Sequence, residues 1–160
     1  MKRDDNRVKI FIERSLIVPL TNFLKQGLSP KKLALCVACG VSLGIFPVIG
    51  TTTLLCLLAA LVFRLNIPAI QLINYFVSPL QFLLFIPFIR LGEFIFLQKQ
   101  FPLDIFQILT LLNTNFFQGI HALWWITIHS IVAWITVGPL LGVFLYFIFV
   151  KIFTRFAKKI

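Results

Sequence analysis

The sequence predicts an all-α fold, a polytopic integral membrane helical bundle with a broken or re-entrant helical hairpin. Of its 160 residues, 59% are hydrophobic and only 12% are charged, whereas soluble domains average about 25% charged residues. Residues 33–63 contain no Lys, Arg, Asp or Glu, and roughly 20 apolar residues already span a bilayer as a helix. Pro47 and three glycines interrupt this run. Irregular backbone at membrane depth needs protein or water to satisfy its polar groups, so the break is the first candidate for function.

The formal charge of +10 arises from cations at the margins of the apolar runs. This bias predicts a multi-pass protein of the inner membrane with both termini in the cytoplasm. Such cations attract anionic lipid headgroups by about 1 kcal/mol each, so the predicted partner is a bilayer with anionic lipids and not a nucleic acid. No cleavable signal is expected, because acids are mixed with the bases in the first 14 residues. The clusters are Lys2, Arg3, Arg7, Lys9, Arg14, Lys25, Lys31 and Lys32 before the first run, and Lys151, Arg155, Lys158 and Lys159 after the last.

The pattern divides the chain into an N-terminal segment, residues 1–28, and a membrane domain, residues 29–160. The first is typical of a basic, partly amphipathic cytoplasmic helix that either lies on the inner leaflet or docks on the bundle. The predicted parts of the second are a core at 29–92, a near-neutral loop with an interfacial helix at 91–119, a last transmembrane helix at 120–150 and a basic cytoplasmic tail at 151–160.

The first membrane helix should begin at Ser29 and Pro30, because serine caps helix N-termini and proline suits the first helical position. It should run to about Ile45, and a second helix should run from Thr51 to Arg64. The uncharged part of each holds some 13 residues, or roughly 20 Å at 1.5 Å per residue, which is less than the hydrocarbon thickness of about 30 Å. The pair therefore forms either one kinked span or a hairpin that enters and leaves on one side.

Charge favours the hairpin, since single crossings by the other two uncharged runs then return both termini to the cytoplasm. Pro68, Pro79 and Pro87 are expected to break the second run, residues 65–89. A second re-entrant pair around Ser78 stays open.

Polar residues at and after the first break are candidate ligand-binding residues. Hydroxyls and free amides at the start of a half-helix can hold an anionic group, although threonines there also cap their own helix. Arg64 either grips a phosphate with its planar fork or extends to the headgroups and fixes helix depth. Asn74, Ser78 and Gln81 either line a pocket with the break or bond between helices. The candidate set is Pro47, Gly50, Thr51, Thr52, Thr53, Arg64, Asn66, Asn74 and Ser78.

Two pairs of glycines have the spacing of close helix packing. They are Gly40 with Gly44, and Gly138 with Gly142. Packing within the chain explains both pairs, and a homo-oligomer is the alternative.

Cysteines and histidines do not form a recognisable metal site in the sequence. Cys36, Cys39 and Cys56 lack neighbouring His or carboxylate partners, which favours a packing role. His121 and His129 lie near two tryptophans, as expected at a membrane interface, and a metal or proton-relay role is the alternative. No metal, cofactor or catalytic residue is predicted, and the chain is not expected to be an enzyme, because it shows no catalytic motif.

Four short motifs follow one another over about Ser29 to Gly92. They are Leu28-Ser-Pro-Lys-Lys-Leu-Ala-Leu, Gly40-x-x-x-Gly44-Ile-Phe-Pro47-Val-Ile-Gly50-Thr-Thr, Arg64-Leu-Asn66-Ile-Pro68, and Asn74 with Ser78-Pro79. Their order and spacing resemble a bacterial membrane family, domain of unknown function 2062. Relatives often carry Asn where this chain has Ser78, and the region after Gly92 diverges. The resemblance implies a small integral membrane module of undetermined activity. Some relatives join it to glycosyltransferase domains, which implies a lipid-linked sugar transferase as a partner.

Two functions are compatible with these features. The first is an inner-membrane protein that binds or moves an anionic lipid or polyprenyl-phosphate carrier in envelope glycolipid metabolism. The alternative is a non-catalytic membrane scaffold that docks a partner enzyme such as a glycosyltransferase, using the basic N-terminal helix and the glycine-lined faces.

Overall fold

The computed structural model describes residues 28–98 and 116–157, together with the single positions Val18 and Asn22. Within these residues the chain is all-helical and contains no strand. The predicted N-terminal helix and the predicted interfacial helix, at about 105–112, lie outside the described residues. The helices are α1 (Pro30–Gly44), α2 (Thr52–Val62), α3 (Ile67–Ile95) and α4 (Phe116–Ala157).

Helix α1 begins where the sequence predicts. Ser29 is extended, at φ −64° and ψ 142°, and its hydroxyl oxygen accepts a hydrogen bond from the Lys32 amide at 3.3 Å. Pro30 occupies the first helical position, where its missing N–H costs nothing. The helix ends at Gly44, so the predicted break at residues 46–50 is confirmed.

The chain folds back after this break. Gly50 has a φ of +88°, a left-handed conformation that glycine adopts without steric cost. At the other end of α2, the carbonyl oxygen of Asn66 lies 4.0 Å from the thiol of Cys36, in the first half of α1. Helices α1 and α2 therefore form a helical hairpin and not one kinked rod.

Helix α2 ends in a tight C-cap. Arg64 has a φ of +52°, and the next amide, that of Leu65, donates to the carbonyl oxygen of Ala60 at 2.8 Å. This is the bonding pattern of a Schellman motif, in which glycine usually takes the left-handed position. The Asn66 side chain then caps α3 by accepting from the Ala69 amide at 2.9 Å.

Helix α3 is continuous over 29 residues and includes Pro79 and Pro87. The expectation that these prolines break the run is wrong, as is the second re-entrant pair at Ser78. Pro68 falls in the first turn, where proline is tolerated. Each interior proline removes one backbone hydrogen bond, but both rings lie on the exposed side of the helix. The opposite side of the helix packs on α1 at Ile73 and Val77 and on α4 at Gly92, and this packing holds the helix together across the two prolines.

Helix α1 lies at the centre of the bundle and contacts the other three helices. Helix α3 runs parallel to it, since Gly40 faces Ile73 and Gly44 faces Val77. The buried core is drawn from all four helices and includes Leu33, Cys36, Val37, Ile45, Cys56, Ala60, Ile70, Ile73, Phe88, Ala133 and Phe153.

Helix α4 runs antiparallel to α1 and α3. The Ser42 hydroxyl donates to the carbonyl oxygen of Gly138 at 2.6 Å, while Gly92, further along α3, packs on the main chain of His129, earlier in α4. The helix covers 42 residues and extends beyond the predicted 120–150 at both ends.

Two of the helices, α3 and α4, are long and apolar enough to cross a membrane. In the most apolar 18-residue window of α4 only 11% of the residues are buried. Its exposed side chains include Leu140 and Phe144, at 72% and 63% exposure. A core helix of a soluble domain would bury such side chains.

Candidate functional site

The turn between α1 and α2 is held by α3. The side-chain amide of Gln81, which is 4% exposed, donates to the carbonyl oxygen of Phe46 at 2.8 Å. The carbonyl oxygen of Val48 lies 3.5 Å from the same nitrogen. Gln81 thus provides the hydrogen bonds that an unwound backbone needs when it is removed from water.

The first turn of α2 is bonded to α3 as well. Gln71 donates to the carbonyl oxygen of Thr53 at 2.9 Å. The buried amide nitrogen of Asn74 lies 3.4 Å from the Thr53 hydroxyl and 3.3 Å from the Gln71 side-chain oxygen. Among the described residues, the Asn74 side-chain oxygen has no hydrogen-bond partner. The structure therefore joins Thr53 and Asn74 by a hydrogen bond between α2 and α3. Bonding between helices was one of the two interpretations drawn from the sequence.

The remaining turn candidates bond locally or pack. The Thr51 hydroxyl donates to the carbonyl oxygen of Val48 at 2.9 Å, and the Ser78 hydroxyl donates to that of Asn74 at 3.1 Å. Pro47 and Thr52 are buried, and Gly50 is exposed. The expectation that the threonines cap their own helix is wrong at Thr51, whose side chain makes no cap hydrogen bond to α2. The geometry of the turn matches local and interhelical bonding more closely than an open anion site.

Arg64 and Asn66 lie away from the turn, at the opposite end of α2. The 11 residues of that helix separate the two places by about 16 Å, at 1.5 Å per residue. The side-chain oxygen of Asn66 caps α3, whereas the Arg64 side chain is exposed. The candidate set thus divides into a turn cluster and a second group at the other end of the hairpin.

A groove of about 550 Å³ lies beside this second group, between α2 and α4, with α1 as its floor. Three small residues, Ala38, Ala59 and Gly142, line it and give it depth. Sequence reasoning missed the groove, because its walls come from three separate segments. Its lining is Leu35, Ala38, Cys39, Ser42, Leu43, Leu55, Ala59, Phe63, Trp134, Pro139, Gly142, Val143, Tyr146 and Phe147.

Cations lie next to groove-lining residues at one end of each hairpin helix. Lys31 and Lys32 precede Leu35 by four and three positions, which places them on the same side of α1, one turn earlier. Arg64 directly follows Phe63. All three cations are exposed.

A fourth cation belongs to α4. Lys151 follows Phe147 by four positions, lies one turn beyond it on the same side, and is exposed. We call Lys31, Lys32, Arg64 and Lys151 the basic end. Glu93 is the only Asp or Glu in the described part of the chain. It lies near the far end of α3, where it pairs with Arg90 at 2.8 Å.

The predicted packing glycines face neighbours in the same chain. A Cβ atom on Gly40 would lie 2.7 Å from the Cβ of Ile73, and one on Gly44 would lie 3.2 Å from the Asn74 side-chain oxygen. Homo-oligomerisation stays a prediction.

The second predicted pair faces α1 and its own helix. Gly138 faces the ring of Trp134, at 2.5 Å from an added Cβ, and Gly142 faces Ser42 at 3.4 Å. Gly92 is a close contact that the sequence reasoning missed, since its Cβ would lie 2.6 Å from the carbonyl oxygen of His129.

The three cysteines are free thiols. In the described ranges, no group of three or more His, Cys, Asp or Glu side chains is placed to hold a metal ion. His121 accepts a hydrogen bond from the indole of Trp125 at 2.9 Å, and His129 stacks on Phe96 with ring centroids 4.3 Å apart. Both histidines thus belong to an aromatic cluster at the far end of the bundle.

The fold defines a class, that of helical proteins in which a short hairpin packs on two helices long and apolar enough to span a membrane. The chain belongs to the bacterial family described as "Uncharacterized protein conserved in bacteria (DUF2062)", which matches residues 14–160. The resemblance seen in the sequence is thereby confirmed, and it extends well beyond Gly92. A search of curated proteins found no match, and a search of solved structures found none.

Proposed function

We propose that this protein is a multi-pass inner-membrane protein that binds the phosphate headgroup of an anionic lipid at its basic end. The observation that carries the proposal is the position of the four cations. They come from α1, from α4 and from the link that follows α2, they adjoin one apolar groove, and they have no carboxylate beside them among the described residues.

The membrane placement rests on α3 and α4. Residues 67–89 of α3 contain no Lys, Arg, Asp or Glu, which corresponds to about 35 Å of helix at 1.5 Å per residue. This exceeds the hydrocarbon thickness of about 30 Å, so a modest tilt suffices. With the basic end in the cytoplasm, as the positive-inside bias favours, Arg90 and Glu93 lie on the outer side.

The hairpin is re-entrant in this orientation. Its turn bonds to Gln81, which lies 14 positions after Ile67, or about 21 Å along α3. The turn therefore lies deep in the hydrocarbon, where unpaired carbonyl groups are costly. The side-chain amide of Gln81 donates the hydrogen bond that water would otherwise supply to the turn.

The basic end suits a phosphate. Lysine and arginine form charge-assisted hydrogen bonds with phosphate oxygens, and arginine can form two in parallel. At the headgroup level each cation contributes about 1 kcal/mol. The lipid partner therefore needs a negatively charged headgroup, and a polyprenyl-phosphate carrier is one member of that class.

The test replaces Arg64 by glycine. This change removes the charge but suits the left-handed backbone at φ +52°, so loss of the fold does not confuse the result. Leu97→Gly is the matched control, because Leu97 occupies the same C-cap position of α3 at φ +51° and carries no charge.

Lipid binding is measured by native mass spectrometry of the full chain with geranylgeranyl phosphate. Arg64→Gly should weaken binding about fivefold, the equivalent of about 1 kcal/mol, and Leu97→Gly should leave it unchanged. Equal binding by both variants, or equal binding of the uncharged alcohol geranylgeraniol, would overturn the proposal. A stoichiometric protein partner recovered by crosslinking, with no bound lipid, would favour the scaffold function.

A further inference from the structure

We infer that the groove between α2 and α4 holds the single hydrocarbon chain of a lipid phosphate whose headgroup lies at the basic end. This inference rests on the proposed function and specifies the class of lipid. The occupant is one hydrocarbon chain, which lies between the two helices and runs parallel to them.

The groove offers a chain a largely apolar wall, because two of its polar side chains, Ser42 and Trp134, are already hydrogen-bonded. The Ser42 hydroxyl donates to Gly138, and the Trp134 indole donates to the carbonyl oxygen of Ser42 at 3.0 Å. The remaining lining is largely aliphatic and aromatic. A polar ligand would find few hydrogen-bond partners here, whereas a hydrocarbon chain needs none.

The volume of the groove matches that of about one chain. A methylene group is close in size to a water molecule, whose share of liquid volume is about 30 Å³. The groove of about 550 Å³ therefore admits about 18 such groups, or three to four isoprene units. Two acyl chains of a phospholipid would exceed it.

The two ends of the groove differ in charge, and this difference fixes the direction of the chain. Leu35, Phe63 and Phe147 line the end that adjoins the basic end. Leu43 and Leu55 line the other end, beside the hairpin turn. A phosphate at Arg64 therefore leaves its chain directed toward the turn, and the reverse orientation would put the phosphate among apolar side chains.

In a bilayer the free lipid chain is already in hydrocarbon, so the hydrophobic effect does not select the groove. Selection comes instead from van der Waals contact with fixed helices and from the phosphate held at one end. The decisive measurement is therefore where the hydrocarbon chain of the lipid lies on the protein.

The experiment uses the full-chain protein in nanodiscs and a geranylgeranyl phosphate with a photoreactive diazirine on its chain. Crosslinks mapped by mass spectrometry should concentrate on groove residues such as Val143 and Tyr146. They should exceed, by several-fold, those on the exposed residues Phe82 and Leu83 of α3.

Two variants on neighbouring positions of α2 control the result. Ala59→Phe fills the groove, since Ala59 lines it, and should reduce the groove crosslinks several-fold. Leu58→Phe adds an aromatic ring at an exposed position outside the lining and should not. Both variants are checked for folding by thermal unfolding in detergent. A diacyl phosphatidate with the same photoreactive group should crosslink to the groove much less than the single-chain lipid.

The outcomes separate the two proposals. Crosslinks spread evenly over α3 and α4, or unaffected by Ala59→Phe, would overturn the groove inference while leaving the phosphate site intact. Groove crosslinks of equal yield with the alcohol would support the groove and remove the phosphate site. A dimer in native mass spectrometry together with no groove crosslinks would show that a second copy covers the groove, and would also overturn the inference.

Discussion

The side-chain amide of Gln81, halfway along α3, donates a 2.8 Å hydrogen bond to the carbonyl oxygen of Phe46 in the turn of the α1–α2 hairpin. The two residues are 35 positions apart in the chain. This bond joins a continuous helix to the turn in which another helical segment ends, and it gives a carbonyl group of that turn a partner.

Replacement of Gln81 by Leu should therefore destabilise the fold. The carbonyl oxygen of Phe46 would stay buried without a donor, which costs about 1–3 kcal/mol. Gln71→Leu is the control, since Gln71 also bonds to the hairpin, at Thr53. It is only half-buried, and the Asn74 amide that it also bonds keeps the Thr53 hydroxyl as a partner, so the loss should be smaller. Unfolding of the purified protein by denaturant in detergent micelles measures both, and equal losses would contradict the expected role of burial.

The contact between Gly92 and His129 should be intolerant of a side chain. A Cβ on Gly92 would lie 2.6 Å from a main-chain oxygen, so Gly92→Ala should separate α3 from α4 and cost about 1–3 kcal/mol. Gly142→Ala is the matched change on α4, because its nearest neighbour lies at 3.4 Å. Thermal unfolding should rank Gly92→Ala as clearly less stable; similar midpoints would argue against close backbone packing at Gly92.

Leu97→Gly should stabilise the protein. Leu97 adopts φ +51°, is 90% exposed, and follows a helix end at which the Gln98 amide donates to the carbonyl oxygen of Glu93 at 2.9 Å. A left-handed conformation costs a residue with a Cβ about 1 kcal/mol, and glycine removes that cost. The free energy of unfolding should rise by a comparable amount, and a decrease would show that the Leu97 side chain contributes packing.

The proposed orientation predicts opposite accessibility for the two ends of the bundle. In a background with Cys36, Cys39 and Cys56 replaced by Ala, Leu97→Cys should react with a membrane-impermeant maleimide added outside intact cells. Arg155→Cys, on the exposed last turn of α4, should react only after the membrane is permeabilised. Labelling of both from outside would exclude cytoplasmic placement of the basic end.

Local signals in the sequence predicted the parts of the fold that local chemistry controls. Ser29 and Pro30 start α1 because a side-chain cap and a fixed φ act within one turn. The break at Pro47 and Gly50 is equally local. The interruption expected at Pro79 is wrong, because the packing of α3 against α1 outweighs the single hydrogen bond that proline removes.

The candidate site was harder to predict because it depends on tertiary contacts. The sequence placed Asn74 near the threonines after the break, and Thr53 does meet it. It gave no sign that Arg64 would adjoin a groove whose opposite wall, at Val143 and Phe147, lies some 80 positions later. Small residues such as Ala59 were the available signal, and a single alanine on a helix does not reveal what faces it.

The bond between Ser42 and Gly138 has a consequence for biosynthesis, since its partners are 96 positions apart. At a synthesis rate of about 5–20 residues per second, the hydroxyl on α1 waits roughly 5–20 s before its acceptor leaves the ribosome. The nascent hairpin must pass that interval without its final neighbour. Its packing is therefore completed only after α4 has been made, and a chain that ends before α4 should hold a less stable hairpin.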